Sequence, residues 1–569
     1  MYLRHGLLVA LLVTLLLSAR HRPLFAQDSA RATVCEGSVV SSVAVTSAAP
    51  SFLVLPGPLR KVARGAGLQA TTRASVVRRF LLLQAGGLCT ERQRAESERI
   101  LRLQPFLADA TVRAVPDSGG RVRIEVETVD EIPVVLGGSF DGMRPSALML
   151  GNRNVAGGGI YLTARGERGE AYRDGASLRF VANQALGRPY VLALLAERAP
   201  LGSTFTIALG HAFLTDLQRN AWHVGYGDAE DYVSFVRPTG EALSLEVKRS
   251  FWDVGGVTRI GIRGRSAFFG GLLTRERAAQ GEQPVIITDS GLVADTDPAL
   301  VGRFAPYENV RVNAVLGMRF LRFTTVRGFD ALTGAQDVAS GVQLGVLAGR
   351  GIPKLGGTDE DTFLSADIYA GISSVNSLLA LRMEGEGRRE TRWDAVVGSG
   401  RLAWYRKLGG SHLLIASGEF SGGWRARLPF QLMLGDRQGG VRGYHRSRIG
   451  GGQRAVLRLE ERWSIGRITR RADVGLATFA DAGKVWAGDV PFGVTSPTKA
   501  SVGVGLLAAT PLSRRLWRLD LAVPVSADVD ARRWELRLST TQVRGFWREP
   551  RDVARLRAAA APSTIFTWP

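Results

Sequence analysis

The chain has 569 residues, 45% of them hydrophobic, with 68 Gly, two Cys and a formal charge of +21. That length exceeds one ordinary soluble domain and suits one large barrel plus a small appendage. The charge comes from 67 Arg and six Lys spread along the whole chain without a local basic run, so it reads as an arginine-favouring composition and not as a nucleic-acid surface.

In chain order, Arg4 and His5 precede an apolar stretch from Leu7 to Leu17, followed by Ser18 and Ala19 and by Leu24-Phe25-Ala26 before Gln27. This predicts a signal peptide over residues 1–26; an anchor helix is the alternative, disfavoured by the short apolar core. Past it, no segment reaches the roughly 18 consecutive apolar residues of a membrane helix, so membrane crossing falls to strands of about ten residues. Neither Cys35 nor Cys89 lies in a Leu-x-Gly-Cys setting that would carry a lipid. Their spacing leaves open whether they pair or remain two thiols.

The run from Val39 to Val45 is a strand signal. Ala74 to Leu83 places Val76, Val77, Phe80 and Leu81 at helical spacing before Gly86-Gly87, and a second helix opens at Thr90 and ends before Pro105-Phe106. Ala110 to Val115 and Arg121 to Glu127 alternate strictly around the turn Pro116 to Gly120, which predicts a hairpin. The order strand, helix, helix, strand, strand, with the passage Glu98-Arg99-Ile100-Leu101-Arg102-Leu103-Gln104-Pro105-Phe106, resembles a POTRA domain over residues 38–131. The resemblance implies a small periplasmic α+β module that handles polypeptides.

From Pro133 onward no helical period lasts. In Ala455 to Glu460 the apolar Leu457 and Leu459 alternate with Arg458 and Glu460, and in Val474 to Gly483 Asp481 falls on the face opposite Leu476. Trp517, Leu519, Leu521 and Val523 oppose Arg518 and Asp520, as Leu536 and Leu538 oppose Glu535 and Arg537. This period, with aromatic residues such as Trp463, Trp486 and Trp534 near segment ends, predicts an all-β transmembrane barrel of antiparallel strands over residues 133–548. A soluble sandwich shares the period; the signal peptide and the number of segments favour the barrel.

Two motifs stand out. One is the glycine-rich loop Leu434-Gly435-Asp436-Arg437-Gln438-Gly439-Gly440-Val441-Arg442-Gly443-Tyr444; the other is the strand Phe479-Ala480-Asp481-Ala482-Gly483. Together they resemble the outer-membrane assembly and translocation family, also called the bacterial surface antigen family, with BamA- and TamA-type members. That resemblance implies a barrel of about sixteen strands and an inner loop, Val441, Arg442, Gly443 and Tyr444, folded into the lumen. Arg442 is then expected to meet Asp481 and Glu460 on the next two strands, with Phe479 and Gly483 completing the strand motif. A guanidinium in a partly dry lumen needs such carboxylates. Gly151 to Gly159 looks like the first barrel hairpin, and residues 549–569 continue past the expected last strand, a departure from the family.

Enzyme signals are weak. Gly503-Val504-Gly505 formally starts a dinucleotide fingerprint but lies in strand sequence and opens no helix. The six histidines show no metal-ligand spacing, and no Gly-x-Ser-x-Gly elbow occurs. The sequence therefore predicts a non-enzymatic outer-membrane protein with no catalytic residues, metal or cofactor. Its expected partners are membrane lipid, unfolded client polypeptides and other envelope assembly proteins, with no nucleic acid. It would assist insertion or translocation of polypeptides, captured by the POTRA-like domain and handed to the barrel seam. A secretion pore, or a passive or lipid-handling barrel with a docking domain, is the alternative.

Overall fold

The computed structural model describes residues 34–50 and 71–557, apart from 142–143, 170–171, 263, 436–438, 446, 470–471, 526–532 and 543–549. The expected signal peptide, the end of the C-terminal extension, and Asp436, Arg437 and Gln438 of the glycine-rich loop lie outside the described residues.

The N-terminal unit is built from β1 (Val40–Ala48), α1 (Ala74–Arg78), α2 (Glu91–Leu103), β2 (Leu107–Pro116) and β3 (Val122–Asp130). β3 is central, parallel to β1 and antiparallel to β2. Alternation along β3 buries Val122, Ile124 and Val126 against Val77, Ile100, Leu101 and Phe106 from the helical layer. Thr90 caps α2 by accepting the Gln93 N–H at 3.2 Å, which satisfies one of the free donors at a helix start. α1 stops at Arg78, short of the expected Leu83. The Leu82 N–H is taken instead by Ser97 Oγ at 2.9 Å, and Phe80, Leu81 and Leu83 enter the core from non-helical backbone. Cys35 and Cys89 form a disulfide with Cα atoms 5.2 Å apart, tying the segment ahead of β1 to the start of α2.

From Val134 the strands are antiparallel and their order closes, with the first, Val134–Asp141, beside the last, Glu535–Gln542. The closed order holds 22 strands. Two short ones, Val285–Thr288 and Gly291–Ala294, form a hairpin outside the wall, because Arg265–Gln280 pairs directly with Tyr307–Arg327. The wall therefore has 20 strands among the described residues, more than the roughly sixteen that the family resemblance implied. Alternation tells which face a residue takes but does not count strands, and the first six wall strands, up to His211, are only 8–11 residues long.

Leu457, Leu459, Leu476, Val504, Trp517, Leu519, Leu536 and Leu538 point outward and are exposed, while Arg454, Glu460, Asp481, Arg518 and Asp520 between them are buried inside. A wall with apolar side chains outside and charges inside suits lipid, not water. No described helix is long and apolar enough to cross a membrane.

The N-terminal unit seats on one end of the barrel. Gly151 to Gly159 is not the first hairpin but the turn between the second and third wall strands, and it faces this unit. Thr72 donates through its N–H and hydroxyl to Asp130, both at 2.7 Å, and accepts from Asn154 Nδ2 at 2.8 Å. Gly157 has φ +70° and would place a Cβ 2.1 Å from the Thr71 carbonyl oxygen, so only glycine fits this contact. Further round the rim, Arg102 of α2 bridges Asp337 at 2.8 Å and Glu98 at 2.5 Å, and Arg99 lies over the Phe323 ring at 4.4 Å.

Candidate functional site

Three of the four consecutive wall strands from Gln453 to Pro524 carry this group of lumen charges, with Lys499–Ala509 lying between the second and third. Gln453–Thr469 presents Glu460 and Arg462, Ala472–Trp486 presents Phe479 and Asp481, and Arg515–Pro524 presents Arg518 and Asp520. Each set lies at even spacing, so it shares the inward face while Leu457, Leu476 and Leu519 face lipid. The chain between Trp424 and Gln453 folds back into the lumen beside them. Leu434, Val441 and Tyr444 of this inner loop are buried against Val456 and Val485 of the wall.

Glycines make the approach feasible. A Cβ on Gly440 would fall 1.9 Å from the Leu434 carbonyl oxygen, and one on Gly483 would fall 2.4 Å from Val441 Cγ2. The glycine of the Phe-x-Asp-x-Gly strand thus leaves room for the valine of the Val-Arg-Gly-Tyr loop. Gly443, at φ +85°, turns the chain after Arg442. Two strand glycines do similar service: a Cβ on Gly503 would lie 2.3 Å from Phe479 Cζ, and one on Gly505 2.3 Å from Asp520 Oδ1. The formal dinucleotide fingerprint is space left for lumen side chains.

Arg442 reaches Asp481 with two parallel donors, Nε to Oδ2 and Nη2 to Oδ1, both at 2.7 Å. Its Nη1 donates to Glu460 Oε2 at 3.0 Å, and its guanidinium lies 3.6 Å from the centroid of the Phe479 ring. All the residues that the sequence singled out meet here: Val441, Arg442, Gly443 and Tyr444 in the loop, and Glu460, Phe479, Asp481 and Gly483 on the strands. Tyr444 fixes the loop's far side, its hydroxyl donating to the Ala500 carbonyl at 2.9 Å.

Sequence reasoning missed the rest of the network. Arg518 donates to both oxygens of Glu460 at 2.8 and 2.9 Å and to Asp520 at 3.1 Å, and Arg462 donates to Glu460 at 2.6 Å. Arg442, Arg462 and Arg518 thereby face Glu460, Asp481 and Asp520, a balanced set in which no charge is left alone. The signal for Arg518 and Asp520 was present, because alternation had already placed them opposite Trp517 and Leu519.

Arg462 also links the cluster to the barrel end that carries the N-terminal unit. Its Nη1 donates to the carbonyls of Phe329 and Asp330, each at 3.1 Å. These residues lie on the turn between Tyr307–Arg327 and Ala335–Gly351, which is tucked inward with Phe329 buried. The same turn is flanked by Arg327, paired with Asp109 at 3.2 Å, and by Asp337, paired with Arg102. Among the described residues no group of three His, Cys, Asp or Glu is arranged to hold a metal ion. The site offers electrostatic support that holds the inner loop against the wall.

Residues 402–541 match the Omp85 superfamily domain, an interval that contains the entire arginine network. This bears out the family resemblance carried by the two motifs. None of the curated proteins matches the chain in sequence. Among solved structures, BamA from Haemophilus ducreyi lacking POTRA domains 1–3 is similar at 11% identity and TM-score 0.37, over 89% of this chain and 85% of that one. CdiB from Escherichia coli is similar at 10% identity and TM-score 0.44, over 92% and 93%, and CdiB from Acinetobacter baumannii at 10% and 0.39, over 89% and 73%. Likenesses this distant carry no argument about chemistry.

Proposed function

We propose that this chain, which carries an Omp85 superfamily domain, assists the insertion or translocation of polypeptides at the outer membrane. The observation that carries this reading is the Arg442 network, which ties the inner loop to three wall strands inside the matched interval. The work is physical and makes no covalent bond. The N-terminal unit, with its POTRA-like element order, takes up an unfolded client by strand addition at β1. In the described sheet β1 is an edge strand whose start is paired at Val40 with Gly86 and Gly87 and whose Val43 carbonyl accepts from Arg78 at 3.5 Å, which directs the client to its Thr46 end. Along β2, Val112 N–H donates to Glu98, and the Val112 and Ala110 carbonyls accept from Arg94 and Arg102. Strand addition reads backbone more than side chain, which suits varied clients.

The client then meets the barrel seam, where the first and last strands lie together. A seam has no more paired positions than its shorter strand has residues, and the first strand has eight, against 21 in Ala242–Ile262. A short seam costs less to open than any junction between long strands. Arg442 and its partners hold the wall beside that seam in shape while it opens.

The capture step is tested by placing a photo-crosslinking residue at Thr46 on β1 or at Arg113 on β2 and offering an unfolded barrel protein. Crosslinks concentrated at Thr46 are expected. Equal labelling at both positions, or none, would remove strand addition at β1 from the account.

A further inference from the structure

The chain does not end at the wall. After the last strand, residues 550–557 lie inside the barrel, and they include a short helix α3 (Arg551–Leu556). In the closed order of 20 wall strands, Asn220–Val236 is seventh and Gln453–Thr469 sixteenth. Arg555 approaches Asp231 on the seventh at 3.7 Å, while Asp552 is paired with Arg454 on the sixteenth at 2.6 Å. A segment that touches two strands almost half the ring apart spans the bore.

Its seat is shaped for it. Val553 and Leu556, 1% and 6% exposed, pack with Val247, Tyr307, Val397, Leu428, Phe430 and other apolar side chains in one buried cluster. Arg249 donates to the carbonyls of Arg555 and Arg557 at 3.2 and 2.7 Å, supplying partners for the unpaired acceptors at a helix end. The charges run in matching order: acidic Asp552 on basic Arg454, then basic Arg557 near Glu384 at 3.3 Å. Arg454 is buried and donates to Asp552 at 2.6 Å and to the Met433 carbonyl at 2.8 Å. All these contacts lie toward the end opposite the N-terminal unit, since Ala242–Ile262 and Ser377–Arg389 meet α3 through residues near their far-end termini.

We infer that residues 550–557 are an internal plug that closes the far half of the lumen, an interaction surface whose fitting partner is the chain's own C-terminal segment. A pore path through this barrel opens only when the plug leaves its seat. The inference concerns the lumen alone and stands whether or not the chain handles clients at its seam.

The test compares single-channel conductance in planar bilayers for the full chain, a chain ending at Pro550, and the full-length variant Val553→Asp/Leu556→Asp. Heat-modifiable mobility on gels checks that each barrel is folded. Both altered proteins are expected to conduct several-fold more than the full chain. A synthetic peptide of residues 550–557, added to the far side, is expected to bring the truncated barrel back towards the closed level. Folded variants that conduct like the full chain would overturn the plug. Failure of both variants to fold would also overturn it, because the segment would then be part of the barrel's obligatory core and not a displaceable stopper.

Discussion

Arg442 sits where a single side chain decides whether a loop stays inside the barrel. Its bidentate pairing with Asp481, its bond to Glu460 and its contact with the Phe479 ring replace the water that the guanidinium gives up. Removing one member of such a buried set leaves carboxylates uncompensated, at a cost of about 3–5 kcal/mol. Arg442→Ala is therefore expected to lower the temperature at which the barrel loses its compact gel mobility, and Arg442→Lys to recover only part of the loss, since an ammonium cannot make two parallel bonds to Asp481. Full recovery by lysine would mean that charge alone matters. Gly483→Val should act from the other side by pushing Val441 out of its place, with an overpacking cost of about 1–3 kcal/mol, seen as proteolysis of the inner loop that wild type resists. The meeting of Arg442 with Glu460 and Asp481 was legible through two motifs read together. Arg462 was not, because its partners include main-chain carbonyls on a turn more than a hundred residues away, which no local pattern announces.

The elements that join the N-terminal unit to the barrel make their own predictions. Burial pushes the Asp130 carboxyl up to about 6, outweighing the two hydrogen bonds from Thr72 that favour its charged form. The folded value lies above the unfolded one of about 3.9, so the folded junction holds the proton more tightly, and the stabilisation is complete below about pH 4 and lost as pH rises through about 6. Protection of the Thr72 segment from protease should therefore increase as the pH drops from about 7 to about 5, and Asp130→Asn should flatten that profile. A pH response unchanged in the variant would assign it to another group. The disulfide between Cys35 and Cys89 closes a loop of 54 residues, worth roughly 4 kcal/mol by loop entropy. Replacing both cysteines with serine should destabilise the N-terminal unit to denaturant and leave the barrel's heat resistance untouched. Element order and the hairpin of β2 and β3 were readable from periodicity. The early end of α1 was not, because it depends on Ser97 reaching back from α2.

At the scale of the molecule, the barrel was legible because lipid imposes a two-residue period and a sign: apolar out, charged in. The strand number was not, because closure depends on width and register that no single strand encodes. The path of the C-terminal extension into the lumen also lay beyond the pattern, since Asp552, Val553 and Leu556 find their partners on distant strands. What results is a barrel occupied from within by an inner loop and a tail, with a folded unit seated on one mouth and a short first strand at the seam. This arrangement favours work at the seam over free passage through the bore. The most direct test is to reconstitute the full-length protein in lipid vesicles and follow the appearance of a folded, protease-resistant barrel client supplied unfolded. The account predicts faster client insertion than in empty vesicles, and loss of that acceleration with Arg442→Ala. Client insertion no faster than in empty vesicles, from a protein shown to be folded, would contradict it.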